Sequence, residues 1–338
     1  MKRILLVLVF LVLAAGAYFG WQLFGPVVKA PEGKYFYINT GTSFTDMRSA
    51  LLHQNIIPNG FVFDQVSKRA DFTLPKPGRY TIDDGSSLVE LVRMLKHGRQ
   101  SPVRLVITKL RTKEDLAGRI GKNFEADSAD MIRILLNNDS LKTYGVDTHT
   151  VMTLVIPNTY EVTWNGTPDK FLKRLKTEHD KFWNEERRKK AASKGLSPEQ
   201  VYTMASIVDE ETNKRSDKPL IASVYMNRIR KGMKLEADPT VKYAMRAFGL
   251  TRIYFNHLKY DSPYNTYQYA GLPPGPICTP SIESIDAVLE APETDYIFFV
   301  AKPDFKGYSN FASTYEQHKV YANMYRKALD SLVASKNR

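Results

Sequence analysis

Three consecutive acids, Asp209, Glu210 and Glu211, stand in "ASIVDEETNK" on what reads as a helix in an otherwise basic chain. A carboxyl group that stays protonated near neutral pH can serve as the general acid that breaks a glycosidic bond. Helical phase separates the three. Ser197 reads as an N-cap, Pro198 as the first helical residue and Gln200 as the partner that completes a capping box, which fixes the start of the helix. Counting about 100° per residue from Val201, the apolar residues Met204, Ala205 and Val208 form a stripe centred near about −20°. Glu210 then falls roughly opposite the stripe and reads as a surface charge, while Asp209 lies about 100° and Glu211 about 60° from its centre. Glu211 is therefore the acid expected nearest the packed interface. Desolvation there would raise its pKa and the charge of Asp209 would add to the rise, provided no cation pairs with it. The competing use of Glu211 is an ion pair with Arg215 at i+4, or with Arg228 or Arg230 of the next helix.

Other chemistries find little support. The six histidines are scattered and form no His-Glu-x-x-His pair, and Cys278 is the one cysteine, so no metal, redox pair or cofactor is expected. No intramolecular disulfide can form. The fold must stand on packing alone, which 338 residues allow for an anchored segment plus two or so domains.

Lys plus Arg number 48 against 36 Asp plus Glu, a balance of +12 that favours nucleic acid, an acidic membrane surface or an anionic polymer as partner. The amino terminus narrows the choice. Residues 4–24 are apolar with Gln22 as the strongly polar exception, enough to cross a bilayer as a single helix. A cleaved signal peptide ending near Ala15-Gly16-Ala17 is the alternative, but the apolar run continues past it, and Tyr18, Phe19 and Trp21 suit the far interface. Lys2 and Arg3 would then lie in the cytoplasm, with everything after about Pro26 outside the inner membrane. That orientation argues against nucleic acid as a partner, including at the basic helix read over 169–193.

The elements that must position the acids form an α+β chain. One pattern of strand, turn and short amphipathic helix occurs three times, in "INTGTSFTDMRSAL", "IDDGSSLVELVRML" and "ITKLRTKEDLAGRI". Ser43, Ser87 and Thr112 stand at the N-cap positions, Gly41 and Gly85 turn the first two copies, Leu110 replaces the glycine in the third, and Gly98 reads as a helix C-cap. A strand and loop in "VIPNTYEVTWNGTPDKF" precede the 169–193 helix, "YIFFVAKP" reads as a buried strand, and residues 313–334 read as a closing helix.

The segments "ASIVDEETNKRSDKPLIASVYMNRIRKGMKLEADPTVKYAM", "SPYNTYQYAGLPPGPICTPSIESIDAVLEAP" and "YIFFVAKPDFKGYSNFASTYEQH", in this order, resemble the YceG-like (MltG) endolytic murein transglycosylases. "IPNTYEV", the anchor and the amino-terminal region fit the same resemblance, so it spans nearly the whole chain. It implies an anchor over 1–25, a LysM-like α+β region over 26–124 and a mixed α/β catalytic domain over 125–338. It also names Glu211, immediately before Thr212, as the catalytic glutamate. Ordinary glycosidases need two carboxylates. Lytic transglycosylases use one, with the substrate's N-acetyl oxygen assisting and the sugar's 6-hydroxyl closing a 1,6-anhydro ring. The implied partners are peptidoglycan glycan strands, the inner membrane and peptidoglycan synthases. A Glu commonly stands in the family where this chain has Asp209, a Gln where it has Glu236, and a Pro-Glu-Gly turn where it has "TKLRT".

Residue types complete the expected site. Asn227 could orient an N-acetyl group or the acid, or act as a packing amide. Tyr264, Asn265, Thr266 and Tyr267 form a polar aromatic loop suited to sugar faces and hydroxyls, or to covering the core. Asp238 is the candidate second carboxylate, or a turn cap before Pro239. Ser313 and His318 could line the cleft. The rival function is a non-catalytic wall-binding scaffold that recruits peptidoglycan synthases.

Overall fold

The computed structural model describes residues 2–336. It is a mostly helical α+β chain in which, among the described residues, six strands form three two-stranded sheets, each joining two strands successive in the chain. The expected mixed α/β catalytic domain is thus helical in bulk, with short strands at its margins. Two compact units are present, the first comprising residues up to Leu105 with Asn123–Ala126 and Tyr160–Thr167. The second comprises Val106–Lys122, Asp127–Thr159 and the chain from Pro168 onward.

The first unit opens with α1 (Lys2–Phe24), whose apolar composition and length suit a membrane crossing, as an anchor or a signal sequence. β1 (Tyr35–Ile38) is followed by α2 (Phe44–His53) and α3 (Gly60–Arg69), and β2 (Gly78–Thr81) by α4 (Leu88–His97). β1 and β2 are antiparallel with Phe36 opposite Tyr80. Alternation along β1 sends Phe36 and Ile38 inward, onto Met47 and Leu51 of α2, Phe63 of α3 and Leu88, Leu91 and Leu95 of α4. Ser43 and Ser87 cap their helices as expected, the latter in a full capping box with Glu90, and Gly98 ends α4 in the left-handed conformation. Trp164 lies edge-on to Tyr37 and Glu125 accepts from Thr40, which ties the two later segments into this unit.

β3 (Val103–Ile107) leads to α5 (Lys113–Asn123), the third copy of the repeat. Its turn, built on Leu110, is held by a reciprocal pair with Thr279: the Leu110 amide donates to the Thr279 hydroxyl and the Thr279 amide to the Leu110 carbonyl. Those bonds draw residues 106–122 into the second unit, so the chain does not divide once near residue 124. α6 (Ser128–Leu135), α7 (Asn138–Lys142) and β4 (Asn158–Val162) follow.

The helix expected over 169–193 is two, α8 (Pro168–Phe182) and α9 (Glu185–Ser193). Trp183 is buried at the break and Asn184 caps α9 through the Arg187 amide, so a new helix starts where the first one docks its indole. The central helix is α10 (Pro198–Glu211), with the expected box of Ser197 and Gln200. Around it lie α11 (Lys218–Arg230), α12 (Asp238–Ala244) and α13 (Ile282–Leu289). Every residue from Val201 to Asp209 is buried, so α10 is enclosed on all sides and has no solvent face over that span. β5 (Phe298–Ala301) and β6 (Ser309–Ala312) form an antiparallel pair before α14 (Tyr315–Lys336). β5, expected to be buried, is half-buried, because its sheet has a single partner strand and one flank open.

Candidate active site

The carboxyl end of α10 is where a helix least tolerates anions, because its unpaired carbonyls carry partial negative charge. Asp209, Glu210 and Glu211 occupy that end, and Thr212 leaves the helix in extended conformation. Each acid needs a remedy. Asp209 is buried and is met by Lys109 at 2.6 Å, by Lys218 at 3.5 Å and by the hydroxyls of Ser281 and Ser284. Burial would raise its pKa, but the bonds from Lys109, Ser284 and Ser281 prevail and hold it down to about 2. Glu210 is met at 3.1 Å by both Lys109 and Arg111, and its side chain is 18 % exposed.

Glu211 is treated differently. Its Oε1 accepts a 2.7 Å hydrogen bond from the hydroxyl of Tyr225 on α11, and among the described residues no cation lies at ion-pair distance. The carboxyl keeps some contact with solvent, yet the protein around it is dense enough that burial pushes its pKa up to about 7. The Tyr225 bond opposes the rise, the negative charge of Asp238 adds to it, Lys242 lowers it and Glu210 raises it. Tyr225 is itself buried, edge-on to Phe299, and its phenol is pushed well above the ordinary range by burial and by Glu211. Asp238 at the start of α12 is exposed and accepts a 2.7 Å bond from the Tyr267 hydroxyl, whose pKa is raised by burial and by that bond. Glu211, Tyr225, Asp238, Tyr267 and Lys242 therefore make one electrostatically linked group.

Residues 36–324 match the YceG-like family. The chain belongs to the YceG-like family. It is 27 % identical over 343 residues to an endolytic murein transglycosylase of Bacillus subtilis, covering 97 % of this chain and 92 % of the relative. It is 26 % identical to one of Streptococcus pneumoniae over 92 % of this chain and 63 % of that longer relative. The crystal structure of a yceG-like protein from Listeria monocytogenes superposes with a TM-score of 0.54 at 28 % identity, over 85 % of this chain and 98 % of that one.

The acids of this YceG-like chain correct part of the expected geometry. Glu210 is not a free surface charge, and Asp209 is more buried than Glu211, the reverse of the order read from the helical stripe. A stripe argument assumes one-sided burial, and α10 is enclosed all round. Nor does Glu211 pair with Arg228, which spends its guanidinium on Glu236 and on the carbonyls of Ile297, Lys234 and Leu235.

Several expected site residues turn out to be supports. Asn227 donates its amide to the carbonyls of Thr294 and Tyr296 at 2.8 and 2.9 Å, so it fastens the chain entering β5 and has no hydrogen left for an N-acetyl group. Asn265 is fully buried, its amide held by the carbonyls of Leu258 and Tyr260. Thr266, also buried, bonds to Thr240 and the Ala237 amide. These two shape the loop that presents Tyr267, and Tyr264 packs with tilted rings against Tyr243 and His149. Ser313 and His318 sit at the start of α14, where His318 stacks on Phe298 at 5.1 Å and is held below its ordinary pKa by burial and by Arg228.

Tyr225, Lys242 and the cations Lys109, Arg111 and Lys218 were not read from the sequence. Tyr225 lies two residues before Asn227, so about 200° of helical rotation sends one toward Glu211 and the other away. That phase, once α10 and α11 are paired, is the signal that could have found it.

Proposed function

We propose that this YceG-like protein is a membrane-anchored endolytic lytic transglycosylase of peptidoglycan that cuts the MurNAc–GlcNAc bond within nascent glycan strands and so limits their length. The observation that carries the proposal is Glu211, a cation-free carboxyl raised to about 7 and steered by one phenol. A carboxyl so poised is protonated often enough to give a proton and basic enough to take one back. In the first step Glu211 donates its proton to the glycosidic oxygen as the bond to the MurNAc C1 breaks, and the acetamido oxygen of that sugar shields C1. In the second step the carboxylate of Glu211 removes the proton of the 6-hydroxyl as its oxygen bonds to C1, giving a 1,6-anhydroMurNAc end and restoring the acid. No water is consumed.

The roles of Asp238 and Tyr267 follow from position. Asp238 holds negative charge near Glu211 and favours its protonated form, and Tyr267 holds Asp238. The excess of 12 positive charges suits an anionic wall polymer, and α1 with Lys2 and Arg3 would place the chain after about Pro26 outside the inner membrane. In this reading the LysM-like region expected over 26–124 lies mainly in the first unit and the catalytic region expected from 125 onward mainly in the second, to which residues 106–122 are added.

The test is product mass. Full-length protein in detergent is incubated with peptidoglycan strands, and released ends lighter by one water, lost in Glu211→Gln, are the expected result. Unchanged strands would favour the wall-binding scaffold. Reducing ends would mean hydrolysis, with Asp238 as the second carboxylate.

A further inference from the structure

The second unit holds a concave site of about 240 Å3 that the proposed chemistry leaves unused, lined by Thr112, Lys113, His149, Tyr243, Arg246 and Tyr264 among others. Its charges are unequal. Arg246 is neutralised by Glu114 at 2.8 Å. Lys113 donates to the Thr148 carbonyl at 2.9 Å, and among the described residues it makes no ion pair. Burial drives the Lys113 ammonium below its ordinary value, Glu114 and Asp147 counter that, and Arg246 reinforces it. A cation in such a position gains most from an incoming anion.

The walls are fixed. Tyr243 and Tyr264 pack with tilted rings, centroids 4.8 Å apart, and the Tyr264 hydroxyl lies 3.4 Å from Nδ1 of His149. A second hollow shares one wall with the site. Tyr243 belongs both to the site and to this narrower hollow of about 120 Å3, lined by Glu210, Lys242, Pro239 and Arg111. Lys242 and Glu210 are two of the charges that act on Glu211.

We propose that this site is a subsite for a carboxylate of the peptide carried by the muramic acid residues, bound at Lys113 while Glu211 works on the glycan. The inference rests on the transglycosylase reading above. Charge favours a carboxylate over a phosphate, because the site offers one uncompensated ammonium. The amides at the start of α5 that could cradle a dianion are taken: those of Arg111 and Thr112 by Asp115, and that of Asp115 by Thr112. The Tyr243 hydroxyl, which accepts from Tyr264, can donate to the carboxylate, and the tyrosine rings suit the short apolar side chains of such a peptide.

Two substrates separate the possibilities: glycan strands bearing peptide stems, and the same strands stripped of stems by an amidase. Lys113→Met should raise KM for stem-bearing strands about ten-fold more than for stripped strands, the loss of one charge-assisted hydrogen bond, and Lys113→Arg should restore most of the difference. Equal effects on both substrates, or none on either, overturn the subsite. A second arm uses the Glu211→Gln protein and soluble stem-bearing or stem-free oligomers in a calorimeter. There Lys113→Met should weaken binding of the stem-bearing oligomer selectively, and absence of that selectivity overturns the proposal even if the protein proves non-catalytic. Failure of wild-type protein to cut either strand, with selective binding retained, would instead count against the transglycosylase reading alone.

Discussion

Asp209 and Glu211 stand two residues apart at the end of α10, yet Asp209 is held at about 2 and Glu211 at about 7. Both feel burial and the same unfavourable helix terminus. The difference lies in partners: two lysines and two serines for Asp209, one phenol for Glu211. Cations from the turn before α5 and from α11 are thus spent on the neighbours of Glu211 and withheld from it, which is the condition for a carboxyl to remain an acid at neutral pH.

The pH dependence of cleavage follows from that split. An acid that works protonated and titrates near 7 in the free protein makes kcat/KM fall as pH rises through about 7. Glu211→Gln should lower kcat by about 10²–10⁴-fold, the usual contribution of a general acid or base. Initial rates of anhydro-end release between pH 5 and 9 measure both.

Stability should respond in the opposite sense to that usual for a lost native carboxyl. The folded pKa of Glu211 is raised above its ordinary 4.5, so its ionisation opposes folding, beginning above 4.5 and reaching full effect above about 7. Glu211→Gln should therefore melt higher than wild type at pH 8 and close to it at pH 4. Thermal melts at the two pH values test this, and a Tm loss at pH 8 would contradict it.

Tyr225→Phe isolates the phenol. The Tyr225 bond stabilises the carboxylate, so its removal should move the falling limb of the rate profile to higher pH, by about one unit or more if the bond is worth about 1.5 kcal/mol. A limb that stays in place, with rate lost uniformly, would mean that the phenol serves the substrate and not Glu211.

The Lys109–Asp209–Lys218 cluster should be structural. Asp209→Ala removes the 2.6 Å partner of Lys109 and leaves the buried Lys218 to Glu283 at 3.2 Å, and should cost about 1.5–3 kcal/mol, the loss of a charge-assisted bond, in urea unfolding at pH 7. Because the folded pKa of Asp209 is depressed from 3.8 to about 2, its stabilisation is present above 3.8 and fades as pH falls toward 2. The gap between wild type and the variant should narrow over that window.

What could be read from the sequence was local. Ser43, Ser87, Ser197 and Gly98 do their work within four residues, so spacing alone revealed the caps. The Asn184 cap was equally local, hidden inside a continuous run of helix formers that ends one helix and begins another. Glu211 was ranked first, but its environment was not legible. The enclosure of α10 comes from α11, α12 and α13, and two of the cations on Asp209 and Glu210, Lys109 and Arg111, come from a turn about a hundred positions earlier. Asn227, Asn265 and Thr266 looked like sugar ligands by type and proved to hold backbone, a distinction made only by which carbonyls and amides fold toward them.

Gly275, in the "LPPGP" turn, tests how tightly the wall of the Lys113 site is built. A Cβ there would lie far inside van der Waals contact distance of the His149 carbonyl oxygen and 3.1 Å from the Tyr264 hydroxyl. Backbone cannot yield as a flexible side chain can, so Gly275→Ala should cost about 1–3 kcal/mol in denaturant unfolding. The displaced groups are His149 and Tyr264, which line the site with Lys113, whereas Glu211 is held by Tyr225 on the far helix. The variant should therefore lose preference for stem-bearing over stripped strands, measured as a ratio of kcat/KM, while its rate profile still falls near pH 7. A shift of that limb would show instead that the turn supports the catalytic carboxyl directly.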